Sequence, residues 1–255
     1  MAQEKANKTR LDQLLTDQGL VESRAKAQAL IMAGLVLVDD VPITKSGHMV
    51  RDDAAIRIKG QEHPWVSRGG VKLASAIEQF AIDPTGHIIA DIGASTGGFT
   101  DVLLHHGAAK VYAVDVGHGQ LAWSIRSDVR VVVMEQTNAR YLDSTHIPEL
   151  LDGVVCDASF ISLKIVLPAI LARTHDNAWL CALIKPQFEA GREHVGKGGV
   201  VRDAAVHERV CNEIKTWMTD QGWHVVGISE SPITGPKGNK EFLLYARRNR
   251  ILSTP

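Results

Sequence analysis

The sequence predicts two joined units: a small α+β module over residues 1–59 and an α/β domain with a mostly parallel sheet over residues 68–255. Three observations predict this. From His87 onward, apolar runs of strand length alternate with helical stretches, the rhythm of a parallel sheet covered on both faces. Residues 1–59 instead hold two short helical periods followed by short alternating strands. Between them GQEHPWVSR carries Gly60 and Pro64, which interrupt helix and strand alike, so 60–67 reads as a linker.

Residues 1–9 are polar and are expected to fray. Leu11, Leu14 and Leu15 follow helical spacing, with Gly19 able to end the helix. Ser23 can cap a second helix over Arg24–Met32, with Ala25, Ala29, Leu30 and Ala33 near one face. LVLVDDVPI then reads as strand, acidic turn and strand, and Ile56 and Ile58 alternate as in a half-buried strand. This text, LDQLLTDQGLVESRAKAQALIMAGLVLVDDVPI, resembles the S-four type of RNA-binding domain. The resemblance puts Ser23, Arg24 and Lys26 at the start of an RNA-facing helix, where basic side chains and the helix N-terminus attract phosphate.

In the second unit Gly69 and Gly70 lead into VKLASAIEQF, a helix. Strands are expected in HIIADIG, KVYAVDVG, RVVVMEQ, DGVVCDAS and NAWLCALIKP. Helical stretches lie between them, in FTDVLLHHG, around AWSIRSD and in SLKIVLPAILART. A long helix, AAVHERVCNEIKTWMTDQG, precedes WHVVGISE and EFLLYARR, which no helix separates and which therefore should pair as an antiparallel hairpin. The stretch PQFEAGREHVGKGG, 186–199, is too rich in glycine and charge for a core element and predicts a mobile loop closing over substrate.

Composition excludes more than it assigns. The 255 residues are 45% hydrophobic and 22% charged, with no apolar run near the ~18 residues of a membrane span. MAQEKANKTR has no apolar signal core, so a cytoplasmic protein without a membrane partner is expected. Cys156, Cys181 and Cys211 form no CxxC pair, and no metal site is expected. The net charge of −1 leaves any RNA contact to local patches: Lys5, Lys8, Arg10, Arg24 and Lys26 early, Arg68 after the linker, and Arg247, Arg248 and Arg250 late.

The sharpest motif is DIGASTGGFT, which follows an apolar strand and opens a helix. Gly93, Gly97 and Gly98 permit a tight turn and close approach to a ligand, with Ala94, Ser95, Phe99 and Thr100 completing the loop. Asp91 can hold an ammonium group. Asp115, at the end of the next strand and beside Val116, can accept ribose hydroxyls. A dinucleotide would want glycine where Ser95 stands, so S-adenosylmethionine, with its α-amino group, fits better. Thr137 and Asn138 follow the third strand and could meet the adenine edge, or simply cap a helix.

Four residues stand out for chemistry. Asp157 and Lys185 end strands, where open α/β sheets bind ligands; Lys72 opens a helix and Glu241 a strand. Asp157 also borders the cofactor loop. A desolvated lysine held by carboxylates could accept the proton of a ribose 2′-hydroxyl, whose oxygen would attack a sulfonium methyl in line.

With these motifs the chain resembles the TlyA family of ribosomal RNA methyltransferases, also called haemolysin A. The likeness runs from Leu11 to Arg247 on WVSRGGVKL, DIGASTGGFT, CDASFISL, IKPQFEAGREHVGKGGVVRD and SPITGPKGNKEFL. It implies an α/β, Rossmann-like class I methyltransferase domain, akin to the FtsJ-type 2′-O-methyltransferases, with an antiparallel last strand. It implies a Lys-Asp-Lys-Glu tetrad at Lys72, Asp157, Lys185 and Glu241, with cytidine 2′-hydroxyls of 16S or 23S ribosomal RNA, in subunits or ribosomes, as methyl acceptors. It implies that Pro64, Trp65 and Val66 couple RNA binding to cofactor binding, Pro64 standing where the family has another small residue. Three rival functions fit the sequence less well. A membrane-lytic protein lacks its span, an inactive ribosome-binding factor would not need intact Asp91, Lys72 and Lys185, and an S-four pseudouridine synthase needs no DIGASTGGFT loop.

Overall fold

The computed structural model describes residues 8–18, 20–21, 23–52, 54–59 and 63–248. The expected roles of Lys5, Gly19, Gly60 and Arg250 lie outside them. The first module runs β1 (Lys8–Arg10), α1 (Leu11–Asp17), α2 (Arg24–Met32), β2 (Val36–Val38), β3 (Val41–Ile43), β4 (Met49–Arg51) and β5 (Ile56–Ile58). Strands β3-β2-β5 form one antiparallel sheet and β1-β4 another. Ser23 caps α2 as expected, its Oγ accepting from the Lys26 N–H at 3.3 Å. The β2–β3 turn places Asp39 and Asp40 at φ of 48° and 62°, left-handed positions that aspartate tolerates.

Two expectations need correction. Lys8–Arg10 is not frayed but pairs with Met49–Arg51, a partner forty residues away that local reading cannot see. The buried face of α2 is Ala27 and Ile31, while Ala25, Ala29 and Ala33 are exposed. An alanine methyl gains little from burial, so the larger Ile31 decides which face turns to Leu11, Leu15 and Val36.

The second unit contains α3 (Gly69–Phe80), β6 (Ile88–Ile92), α4 (Gly98–His105), β7 (Lys110–Val114), α5 (Trp123–Arg126), β8 (Val131–Met134), β9 (Leu151–Cys156), α6 (Leu163–Val166), α7 (Pro168–Leu171), β10 (Thr174–Ile184), α8 (Pro186–Glu189), α9 (Ala204–Asp220), β11 (Trp223–Glu230) and β12 (Phe242–Arg248). The strand order is β11-β12-β10-β9-β6-β7-β8. Strands β10, β9, β6, β7 and β8 are parallel, and β12 runs antiparallel between β10 and β11, giving the expected terminal hairpin. SLKIVLPAILART is two short helices, because Pro168 has no N–H to continue the ladder of α6.

Both sheet faces are buried, which explains the near-continuous apolar strands. Ala90, Ile92, Tyr112, Val154 and Cys156 face α6, α7 and α9. Ile89, Val111, Ala113, Val155 and Cys181 face α3, α4 and α5. The chain order reverses between β6 and β9, and there the loops after the two strands part to leave a crevice. Among the described residues no helix is long and apolar enough to cross a membrane.

Candidate active site

The crevice opens into a cleft of about 1730 Å³, beyond the several hundred Å³ typical of one small-molecule pocket. Its walls include Lys72, Asp157, Lys185 and Glu241, the loop residues Gly93, Ala94, Ser95, Gly98 and Phe99, and Lys26 and Arg68. Asp115, Val116, Thr137 and Asn138 do not line it.

The four chemistry-bearing residues meet. Asp157 leaves the carboxyl end of β9 and bridges both lysines: its Oδ1 is 2.6 Å from Lys185 Nζ and its Oδ2 is 3.3 Å from Lys72 Nζ. Glu241, just before β12, accepts from Lys72 at 2.6 Å. Lys185 also donates to Ser159 Oγ at 2.9 Å and to the Asp157 carbonyl at 3.3 Å. Lys72, Lys185 and Glu241 are almost fully buried, so each charge depends on these partners. Asp157 keeps some exposure toward the cleft.

Lys72 reaches this cluster because α3 begins against the cofactor loop. Trp65 lies over Gly70, where a Cβ would stand 2.5 Å from the Trp65 side chain. A Cβ on Gly98 would collide with Ser67 and with the Gly70 nitrogen. The close approach that Gly98 permits is therefore to the chain's own linker, not only to a ligand. Val66 N–H donates to Asp101 of α4 at 2.8 Å, and the Trp65 ring stands edge-on to His105 at 5.4 Å. Arg68 donates to the Thr234 carbonyl at 3.2 Å.

The cofactor loop is a left-handed turn, with φ of +81° at Gly93, +48° at Ser95 and +94° at Gly97. Asp115 pins it, accepting from the Ser95 N–H at 2.8 Å and the Gly117 N–H at 2.7 Å. Both carboxylate oxygens thus already serve backbone, and a ribose hydroxyl would use their remaining lone pairs. Asp91 sits beneath the loop, wholly buried, with Oδ2 accepting from Thr100 at 2.7 Å and Oδ1 without a partner. Burial raises its carboxyl to about 7, against the Thr100 hydrogen bond and with help from the Asp157 charge. An unpartnered buried carboxylate oxygen below a left-handed glycine loop fits a ligand carrying an ammonium group.

Other expected site residues are differently employed. Phe99 packs into the core and Thr100 serves Asp91, while Val116 is 72% exposed. Thr137 bonds the Glu135 carbonyl, and Asn138 caps the turn at Ala139–Tyr141, accepting from Arg140 N–H at 3.1 Å, which is the capping alternative. In the first module Arg10 and Arg24 share one buried carboxylate, Asp12. Arg248 locks β12 to the α7–β10 junction through Thr174, and Arg247 bonds the Tyr245 hydroxyl. The 186–199 stretch divides: Pro186 and Ala190 are buried and only the part from Gly191 is largely exposed.

One residue escaped the sequence reading. Phe160, three positions after Asp157, is 90% exposed and has φ +65°, a backbone conformation unfavourable for an aromatic residue. Its ring lies 5.1 Å from that of Phe188. The available signal was an aromatic residue three positions past an acid at a strand end. Among the described residues no group of three or more His, Cys, Asp and Glu side chains could hold a metal.

Residues 65–248 match the FtsJ-like methyltransferase family and residues 9–56 match the S4 domain. The 16S/23S rRNA (cytidine-2′-O)-methyltransferase TlyA of Mycobacterium tuberculosis is 48% identical over 95% of this chain and 91% of its own. Hemolysin A of Brachyspira hyodysenteriae is 44% identical over 92% and 98%. A solved structure of a protein from Streptococcus thermophilus superimposes with a TM-score of 0.74 at 43% identity, covering 96% of this chain and 90% of that one.

Proposed function

The chain belongs to the FtsJ-like methyltransferase family, in the TlyA group with an S4 domain, and on that footing we propose that it methylates cytidine 2′-hydroxyls of 16S or 23S ribosomal RNA in the cytoplasm. The observation that carries this reading is the Asp157 carboxylate held between Lys72 and Lys185 at the carboxyl edge of the parallel sheet. S-Adenosylmethionine, when bound, supplies a sulfonium methyl open to attack by an oxygen. The residues Gly93 to Phe99 would form its cradle, Asp91 would supply negative charge to its ammonium group, and Asp115 would accept from its ribose.

Lys185 would accept the 2′-hydroxyl proton on Nζ, freeing that oxygen to take the methyl that bound S-adenosylmethionine would supply. Asp157 fixes Lys185 Nζ through a 2.6 Å contact, and Ser159 fixes it again at 2.9 Å. Lys72, clamped by Asp157 and Glu241, holds positive charge beside the reacting oxygen. Proton transfer of this kind contributes roughly 10²–10⁴ in rate, and orientation adds to it. Phe160, next to the cleft-lining Ser159, and the neighbouring Phe188 offer aromatic faces to the target base, for which base–aromatic stacking contributes about 1–3 kcal/mol. Lys26 and Arg68 on the cleft wall, with Arg10 and Arg24, meet phosphates.

The deciding experiment incubates ribosomal subunits with methyl-labelled S-adenosylmethionine and wild-type or Lys185→Ala protein, then digests the RNA to nucleosides. Label in 2′-O-methylcytidine, lowered at least ~100-fold in the variant, is expected. Label on a base, or equal activity in the variant, overturns the proposal.

A further inference from the structure

The Phe160 turn is expensive for the chain. A non-glycine residue held at positive φ is strained and persists only where the surroundings fix it. The ring recovers little of that by burial, being 90% exposed with Phe188 as its ring neighbour. Something must hold the turn on both sides of Phe160. Before it, Lys185 Nζ bonds Ser159 Oγ at 2.9 Å. After it, Glu189 accepts twice: from Ser162 Oγ at 2.6 Å through Oε2, and from Leu163 N–H at 2.7 Å through Oε1.

Glu189 is well placed for this task. It closes α8, the short helix that starts immediately after Lys185 and carries Phe188. One helical turn therefore presents the second ring and anchors the loop bearing the first. The helix itself is tied down by Arg209, which donates to the Ala190 carbonyl at 3.2 Å. The carboxylate is half-buried with both oxygens committed to the turn, an arrangement that a fully solvated surface glutamate does not show.

We propose that Glu189 is a positioning residue for the target nucleotide: by gripping Ser162 and Leu163 it fixes the 159–163 turn so that Phe160 stands beside Phe188 as a platform for the cytosine ring. This rests on the base-stacking part of the proposed function. Glu189 touches neither reactant; it acts through Phe160.

A double-mutant cycle tests it. Phe160→Ala, Glu189→Ala, Glu189→Gln and the Phe160→Ala/Glu189→Ala double variant are compared for kcat and KM on ribosomal subunits, for S-adenosylhomocysteine affinity and for Tm. Phe160→Ala is expected to lower kcat/KM ~10-fold, the loss of one stacked base. Glu189→Ala is expected to lower it comparably with unchanged S-adenosylhomocysteine affinity, and the double variant to fall within about twofold of Phe160→Ala, because both remove one function. Glu189→Gln keeps an acceptor for Leu163 N–H and a donor for Ser162 Oγ, and restores most of the activity. If Glu189→Ala does not fold, Ser162→Ala takes its place in the same cycle. Additive losses, or a Glu189→Ala loss that follows cofactor affinity, overturn the role of Glu189 while the stacking reading stands. A Phe160→Ala variant within twofold of wild type overturns the stacking reading, and this inference with it.

Discussion

Lys72 Nζ lies 2.6 Å from Glu241 Oε2, joining residues 169 positions apart in a pair almost wholly shielded from water. The pair ties the first turn of α3 to the start of β12 and leaves Lys72 free to share Asp157 with Lys185. Removing one partner of a buried ion pair leaves the other charge desolvated, at a cost of about 3–5 kcal/mol. Glu241→Ala is therefore expected to lose about that much stability in urea unfolding and nearly all methyl transfer. Glu241→Gln, which keeps an acceptor for Lys72, loses less of both. A Glu241→Ala protein destabilised by less than ~1 kcal/mol would mean that Asp157 or water satisfies Lys72 without Glu241.

Asp91 gives a pH signature of unusual sign. Its folded carboxyl sits at about 7, above the ordinary 3.8, because burial disfavours the charged form. The folded protein holds this proton where the unfolded chain has released it. Its contribution to stability is present below pH ~4 and is lost as pH rises through ~7. Cofactor binding works the other way, since an ammonium group favours the carboxylate. Apo-protein Tm is expected to fall across that window, and S-adenosylhomocysteine affinity to rise. Calorimetry in buffers of different ionisation enthalpy should show proton release on binding near pH 6. Asp91→Asn should flatten the Tm profile and bind ligand weakly. An Asn variant with wild-type affinity would remove Asp91 from the cofactor site.

The periodic parts of the fold were legible because burial writes itself into sequence. Strands β6, β7, β9 and β10 are covered on both faces and read as apolar runs, and Asp157 and Lys185 could be placed because they end two of those runs. What stayed hidden depends on contacts distant in sequence or on backbone sign. No local pattern shows that Lys8–Arg10 has a partner at Met49–Arg51, or that Phe160 adopts a positive φ. Glu189 looked like one more loop charge until α8 turned it toward Ser162. Asn138 suited a ligand and a helix cap equally by residue type, and only its bond to Arg140 N–H distinguishes them.

Asp12 organises the arginines of the first module. Its buried carboxylate accepts from Arg10 at 3.0 and 2.9 Å, Arg24 at 3.2 Å and Gln28 at 2.9 Å, while both arginine side chains stay about half exposed. The Arg10 bonds, together with Gln28 and Arg24, hold its pKa far below the usual carboxylate range against the cost of burial. A depressed aspartate stabilises the fold above its unfolded pKa near 4, and this is lost as pH falls toward the folded value. Asp12→Asn should lower stability at pH 7 by about 2 kcal/mol, the scale of charge-assisted hydrogen bonds. The difference from wild type should shrink in acid. RNA affinity should fall as well, since Arg10 and Arg24 lose their common anchor. Filter binding with a ribosomal RNA fragment checks the second effect; unchanged affinity would place both arginines away from RNA.

The linker sits where it can influence the cofactor loop, and its Val66 and Ser67 line the same cleft. Trp65 covers Gly70 and meets His105, and Val66 bonds Asp101, so the segment before α3 is docked along α4, whose first residue closes the glycine loop. Gly70→Ala places a Cβ 2.5 Å from the Trp65 side chain, so the ring must move. Overpacking of this kind costs about 1–3 kcal/mol. Displacing Trp65 should carry Val66 off Asp101 and loosen the start of α4. Gly70→Ala is therefore expected to bind S-adenosylhomocysteine ~10-fold more weakly, and Asp101→Ala, which orphans the Val66 N–H, should do so to a smaller degree. Lys72, two residues beyond Gly70, shifts with the helix, and kcat should drop together with affinity. A Gly70→Ala protein with lower Tm but wild-type ligand affinity would show that the linker packs against α4 without governing the cofactor loop.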